Sequence, residues 1–174
     1  MRKQFLSANM ATTVMKPKHR PLSDFDLENA LPYLLNRAGV HIGLAFSQEI
    51  KRYKVSLPMF RILASLVHFE RQSLTELAEH TAVELSTLSR LVATLQRRGL
   101  VSRARSGADG RAISITLTPV GMKLARELIP LAELYERVAL FNIPPQEVAI
   151  LKRLLKQMYS SIRNLGPKTP RNRR

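Results

Sequence analysis

The chain has 174 residues, 45% of them hydrophobic, which is enough for one compact domain with tails. Because it has no cysteine, disulfide bonds, thiolate metal sites and cysteine-based redox sensing are excluded. No apolar run approaches the ~20 residues that span a bilayer, and no apolar segment typical of a secretory signal follows the first basic residues. We therefore expect a cytoplasmic protein.

The formal net charge of +15 predicts anionic partners. Residues 1–20 contribute five basic residues and residues 167–174 contribute four, with no acid in either range. Subtracting these nine charges leaves +6 on the middle of the chain. We expect residues 1–24 to form a flexible basic arm and residues 166–174 a disordered basic tail. Both are either simply solvated or weakly attracted to phosphate.

Apolar residues spaced three and four apart predict a helical pattern over about residues 26–54. Because Pro32 suits a first turn, the alternative is that the regular helix begins there and that residues 27–31 form a preceding turn. Gly39 and Gly43 lie four apart within the helix and would allow another element to approach closely. The close approach would serve either ordinary helix packing or a surface that faces a dimer partner or a ligand.

Two shorter helices are predicted next. Pro58 suits the first position of one of them. Ser73, followed three residues later by Glu76, forms a capping box that starts the other. A turn at residues 80–83 then leads into a further helix, which predicts a helix-turn-helix.

The helix after this turn is predicted to begin at Glu84 or Leu85 and to end at about Arg98, with Gly99 as its stop. At 100° per residue its leucines and valine share one side, and residues 85–108 contain no acid. Short hydroxyls admit close approach to base edges, Arg90 can reach guanine or a phosphate, and the arginines of the last turn can reach backbone phosphate. The predicted DNA-contacting residues of this helix are Ser86, Thr87, Ser89, Arg90 and Arg97.

Two strands are predicted over residues 100–104 and 112–117, joined by a basic loop with two glycines. Asp109 lies two residues before Arg111, so its carboxylate could hold that guanidinium extended. An extended arginine on a thin hairpin fits the narrow minor groove. By itself the segment could equally be a plain surface hairpin, but behind this helix we predict a DNA-binding wing that contains Arg105, Asp109 and Arg111.

The last third of the chain predicts two long helices. Thr118 and Pro119 start the first of them, and Pro130 should kink it. Pro144 and Pro145 begin the second, whose apolar stripe is wider than one small domain needs. Together with the first helix, this stripe predicts an intertwined dimer interface.

From about residue 27 to 163 the chain resembles the MarR family of bacterial winged-helix regulators. The resemblance is carried by the segment LSTLSRLVATLQRRGLV and by the more specific wing sequence RSGADGRAISITLTPVG. It implies a mainly α fold with a small antiparallel β-wing. A winged helix-turn-helix domain would occupy residues 58–118, flanked by dimerisation helices at residues 25–57 and 119–165.

The resemblance also implies a homodimer on a pseudo-palindromic operator in double-stranded DNA. The recognition helix would enter the major groove and the wing arginine the minor groove. The matching positions that inherit these contacts are Ser86, Thr87, Ser89, Arg90, Asp109 and Arg111. The chain departs from the family pattern at Ala82, where the turn usually has glycine, and at Glu84, where a Ser or Asp cap is usual.

The segment LPYLLNRAGVHIG is similar to family members that respond to aromatic acids, particularly hydroxycinnamates or their coenzyme A thioesters. This implies an apolar pocket between the dimer helices and the DNA-binding lobe, with Phe60 in it and Arg37 or His41 available for an anionic group. The alternative for Arg37 is a surface or salt-bridge role.

We therefore expect a ligand-responsive repressor with a small-molecule effector and no cofactor. The alternative is a nonspecific architectural DNA-binding protein that uses the same surface and the basic tails. The histidines lack ligand-like spacing, so no metal site is expected. An enzyme is not expected because no catalytic pair, triad or phosphate loop occurs at useful spacing.

Overall fold

The computed structural model describes residues 21–106 and 112–165. The helices are α1 (Leu31–Ile50), α2 (Leu57–Phe69), α3 (Leu74–Thr81), α4 (Leu85–Arg97), α5 (Pro119–Ala139) and α6 (Pro145–Leu165). The strands are β1 (Arg71–Gln72), β2 (Val101–Ser106) and β3 (Ala112–Leu117). The prediction of a mainly α fold with a small antiparallel sheet is confirmed. The predicted basic arm and tail fall largely outside the described residues.

The chain divides into two compact units, Met1–Arg37 and Ala38–Arg174, with the boundary inside α1. In the first unit, Asp26 accepts hydrogen bonds from the backbone N–H and the side-chain amide of Asn29. These bonds lower the pKa of the Asp26 carboxyl. They form the turn that precedes α1, so the regular helix begins at Leu31, close to the predicted Pro32.

Local caps start the two helices that follow. Ser56 caps α2, and Pro58 is its second residue, one place later than predicted. Either place is tolerated, because the first N–H groups of a helix have no partner within it. The predicted capping box of α3 is confirmed: the Ser73 hydroxyl accepts from the Glu76 N–H at 3.2 Å, and the Glu76 carboxylate accepts from the Ser73 N–H at 2.7 Å.

The sheet has three antiparallel strands in the order β1-β3-β2. Strands β2 and β3 pair with Val101 opposite Leu117 and Arg105 opposite Ile113. Strand β1 was not predicted, because two residues are too short to show the alternation that marks a strand. It pairs with β3 and so ties the wing to the segment between α2 and α3.

The core lies where α2, α4 and the end of α1 meet α5 and the sheet. Its fully buried large side chains are Ile50, Ile62, Leu63, Leu66, Leu77, Leu88, Val92, Leu95, Ile115 and Leu128. At Gly121 an added Cβ would lie 1.9 Å from the Leu100 carbonyl oxygen, so glycine is required where α5 starts against the wing. Helix α5 continues through Pro130; the kink expected there stays a prediction.

Helix α6 buries no described residue within the single chain. Two surface ion pairs join it to the rest: Lys152 with Glu136 of α5, and Arg163 with Glu79 of α3. Its apolar stripe is open to solvent, as is Phe141 in the turn before it, which is 84% exposed. Among the helices of the described ranges, none is long and apolar enough to cross a membrane.

Candidate nucleic-acid interface

Helix α4 has one fully buried face and one polar, open face. Leu88, Val92 and Leu95 are completely buried, as the helical period predicts. Of the residues predicted to contact DNA, Ser86, Thr87, Arg90 and Arg97 are exposed and Ser89 is half-buried. The buried face anchors the helix to the core, so the polar face is presented outward on a rigid support.

The turn into α4 contains the two residues that depart from the pattern of the family that the sequence resembles, Ala82 and Glu84. Ala82 takes the left-handed conformation, with φ 53° and ψ 36°, where glycine would be unstrained. Glu84 caps the helix: its Oε2 accepts from the Thr87 N–H at 3.0 Å and from the Ser86 hydroxyl. A glutamate therefore does here what a serine or aspartate cap does elsewhere.

Hydrogen bonds from Ser86 and Thr87 favour the ionised form of Glu84. The Ser86 hydroxyl is the largest cause, followed by the backbone N–H groups of Ser86 and Thr87, and together they lower the pKa of this carboxyl to about 2. Glu84 is thus ionised at neutral pH, beside a face otherwise populated by hydroxyls and arginines. Sequence reasoning identified Glu84 as a departure from the pattern but assigned it no role at the interface.

Some of the predicted contact groups are already engaged within the chain. Arg97 donates to the Thr94 hydroxyl at 3.2 Å. Arg98, which the sequence placed within reach of backbone phosphate, donates to the Lys54 carbonyl at 2.5 Å and the Tyr53 carbonyl at 3.1 Å. It therefore links the end of α4 to the turn after α1. The sequence carries no signal for this contact, because the partners lie more than forty residues away.

The wing is only partly described. Arg105 lies exposed on β2, whereas the predicted pair Asp109 and Arg111 lies outside the described residues. Arg103, which sequence reasoning did not single out, is half-buried and donates to the Ser89 carbonyl at 3.4 Å. It joins the wing to α4, so the two elements of the candidate interface are held together by an arginine from β2.

A cavity of about 300 Å³ opens between α1, α2 and α5. Phe46 forms its aromatic centre, with the ring of Phe60 at 4.7 Å and that of Tyr135 at 5.8 Å, both edge to face. The other lining residues are Gly39, Ile42, Gly43, Leu57, Arg61, Ala132 and Glu136. Its walls are mostly apolar, with one guanidinium and one carboxylate at its edge.

Of the three residues predicted to line a ligand pocket, only Phe60 lines this cavity. His41 is exposed on α1 and is not part of its lining. Arg37 belongs to the other unit, where its guanidinium lies over the Tyr33 ring at 5.3 Å. The cation that the fold does bring to the cavity is Arg61, which directly follows Phe60 in α2. Across the described ranges, no cluster of three or more His, Asp or Glu could hold a metal ion.

Comparison with known proteins gives a consistent result. The sequence model of the MarR family matches residues 53–112. The chain is 27% identical over 149 residues to the HTH-type transcriptional repressor IacR of Pseudomonas putida, covering 84% of this chain and 89% of that protein.

Solved structures extend the similarity to most of the fold. A MarR family transcriptional regulator from Silicibacter pomeroyi is 31% identical, with a TM-score of 0.74, over 82% of this chain and 97% of that one. BpsR of Bordetella bronchiseptica, whose DNA binding is regulated by 6-hydroxynicotinic acid, is 28% identical with a TM-score of 0.69. That match covers 77% of this chain and 96% of BpsR.

Proposed function

The chain belongs to the MarR family of DNA-binding transcriptional regulators, and from this premise we propose that it is a homodimeric, sequence-specific repressor released from DNA by a small aromatic acid or its coenzyme A thioester. The predictions of a transcriptional regulator and of a protein without enzymatic function are confirmed by the family and by the relatives. The operator, the dimer and the effector class are the parts that we propose.

The open face of α4 carries the proposal that this chain reads a specific DNA sequence. Hydroxyls near the start of the helix and Arg90 near its middle lie opposite a completely buried apolar face. Helices of this kind enter the major groove with their N-terminal residues at the base edges. The wing, held to α4 by Arg103, would follow the neighbouring backbone and minor groove.

Binding of a candidate operator and of random DNA at matched salt tests sequence specificity. We expect much tighter binding to the operator, and Arg90→Ala should relax the base preference. Equal affinities for the two DNAs would instead favour the nonspecific architectural protein. The Arg111→Ala variant should weaken operator binding; wild-type affinity in that variant would contradict the proposed contact between the wing and DNA.

Uncovered apolar surface supports the proposal of a homodimer. Within one chain, Val138 of α5 is 66% exposed, Phe141 is 84% exposed and Ile162 of α6 is 61% exposed. Exposed apolar patches this extended mark interaction surfaces. A second copy would cover them and place two α4 helices about 34 Å apart, one turn of DNA. The dimerisation role of residues 25–57 and 119–165 therefore stays a prediction that sedimentation of the protein would test.

The cavity beside Phe46 supports the proposed class of effector. Its volume of about 300 Å³ suits one substituted aromatic ring, since small-molecule pockets start near ~300 Å³. The rings of Phe46, Phe60 and Tyr135 can pack around that ring. Arg61 at the edge can bind a carboxylate, and Glu136 is neutralised by Lys152. The response of BpsR to 6-hydroxynicotinic acid is a precedent for an aromatic acid.

The contacts around the cavity suggest how such a ligand would act on α4. Two of the cavity walls come from α1 and α2, and at Gly43 an added Cβ would lie 2.9 Å from the Leu57 side chain. The turn after α1 accepts both hydrogen bonds from Arg98 at the end of α4. A ligand that binds better when α1 and α2 are spread would therefore favour a different position of α4.

A screen of aromatic acids and their coenzyme A thioesters by thermal shift tests the effector. A true effector should raise the unfolding temperature and release operator DNA in the same concentration range. The Arg61→Gln variant should need a higher concentration of the acid for both effects, while binding DNA as the wild type does. Unchanged concentrations in Arg61→Gln would contradict the role proposed for Arg61.

A further inference from the structure

We propose that the side chains of Glu84 and Ser86 together contact one base of each operator half. Because both side chains can only accept hydrogen bonds, they select a cytosine there. This inference rests on the proposed function, because it takes α4 as the helix that enters the major groove. It adds a specificity-determining residue, Glu84, at a position where the family pattern has a different cap.

Two residues of the chain donate hydrogen bonds to the Glu84 carboxylate. The Ser86 hydroxyl donates its one proton to Glu84 Oε2, and the Thr87 N–H donates to the same oxygen at 3.0 Å. A serine hydroxyl has one proton and two lone pairs, so Ser86 can only accept from DNA in this arrangement. The Ser86 backbone N–H also stabilises the ionised carboxylate. A carboxylate has two oxygens with about four lone-pair sites, and Glu84 is exposed, so it can still accept a hydrogen bond from DNA.

The charge state of the pair does not change near neutral pH. The hydrogen bonds from Ser86 and Thr87 hold the pKa of Glu84 at about 2. The carboxyl therefore carries no proton of its own to donate. Two neighbouring side chains at the start of α4 thus present only acceptors, in the region of a recognition helix that touches base edges.

Acceptors of this kind require a donor on the base. In the major groove only the amino groups of cytosine and adenine donate, while guanine and thymine present acceptors. Adenine places its N7 acceptor next to the amino group, where it would face the carboxylate. The cytosine amino group has a C–H on its own base as one neighbour, and only the O6 of the paired guanine is an acceptor beside it, so cytosine fits best. Guanine or thymine at the same place would leave the carboxylate desolvated and unpaired.

Glu84 is also expected to reduce affinity for DNA in general, because its charge repels phosphate. Arg90 is near enough to stabilise this carboxylate by charge and offsets part of the repulsion. The combination lowers binding to every sequence and lowers it least where cytosine is present. Glu84 therefore contributes sequence specificity by weakening the binding of DNA that lacks this cytosine.

The test uses the full-length protein and selection from a random-sequence DNA library, followed by competition binding with operators changed at single positions. The wild type should enrich cytosine at one symmetric pair of positions, and changing it to guanine or thymine should weaken binding about tenfold. Glu84→Gln adds a hydrogen-bond donor and removes the charge. The ratio between the affinities for the cytosine operator and for the guanine or thymine operator should therefore fall towards one, while the base preferences at other positions remain. Glu84→Ser should do the same with the helix cap retained, since serine caps well.

Glu127→Gln is the matched control, because it removes the same charge from an exposed position on α5. Both glutamine variants should bind all DNA more tightly, but only Glu84→Gln should change the base preference. If the wild type enriches no sequence, the proposed function fails. If it enriches an operator and neither Glu84 variant alters any position, this inference is overturned while the proposed function stands. Enrichment of adenine in place of cytosine would overturn the choice of base.

Discussion

Replacing Ala82 with glycine is expected to stabilise the protein, although glycine lowers stability at most positions. Ala82 follows α3 with φ 53° and ψ 36°. An L-residue loses about 1–2 kcal/mol in this left-handed region, because its Cβ lies close to the following carbonyl oxygen. Glycine removes that cost but adds up to ~1 kcal/mol of entropy to the unfolded chain. The net gain is about 0.5–1 kcal/mol, or roughly 1–3 °C in the unfolding midpoint.

Urea unfolding followed by circular dichroism measures this change, at one protein concentration because association shifts the apparent stability. Ala45→Gly is the control, since Ala45 is exposed in the interior of α1. That variant should lose about 0.5–1 kcal/mol. The two substitutions are thus expected to have opposite signs. A loss at Ala82 similar to that at Ala45 would refute the left-handed turn, and with it the account of how α4 is oriented.

Three further predictions test the supports of the interface. Arg98→Lys should lower stability by about 1 kcal/mol, because a single ammonium nitrogen does not reproduce the planar guanidinium whose two nitrogens reach the two carbonyls. Unfolding measurements check the loss, and a weaker effect of the ligand on DNA binding should accompany it. Gly121→Ala should cost about 3 kcal/mol, the upper end for overpacking, since its Cβ would meet the Leu100 carbonyl; wild-type stability would contradict this close approach. The pKa of Glu84 in the folded chain is about 2, below its ordinary value of 4.5. The ionised carboxylate therefore stabilises the folded state fully above about pH 4.5. This contribution is lost as the pH falls through about 2. The stability difference between wild type and Glu84→Gln should therefore shrink as the pH falls from 4.5 to 2 in acid-titrated thermal unfolding, and a difference independent of pH would argue against the cap.

The parts of the fold that depend on neighbouring residues followed from the sequence. The buried and open faces of α4 follow from a period of 3.6 residues. The capping box at Ser73 and Glu76 involves residues three apart. Even the stop at Gly99, which has a φ of 67°, is a local backbone requirement. The polar face of the candidate interface could therefore be predicted before any contact was known.

Contacts between distant parts of the chain were decided only by the tertiary structure. The sequence placed Arg98 within reach of phosphate, but the fold also brings two backbone carbonyls from the turn after α1 to it. Arg61 lines the cavity because α2 faces α5 there, whereas sequence similarity directed attention to Arg37 and His41. A linear sequence states which charges exist, but not which of them the fold brings together.

The start of α4 combines both kinds of information. The sequence alone determined that hydroxyls and arginines share its outer face, because that depends on helix geometry only. The three-dimensional arrangement determined what those groups can do: the proton of the Ser86 hydroxyl is directed to Glu84, and Arg103 of β2 is bonded to the Ser89 carbonyl. Hydrogen-bond direction depends on where each donor and acceptor lies in space, and that is the part of DNA recognition that only the folded chain decides.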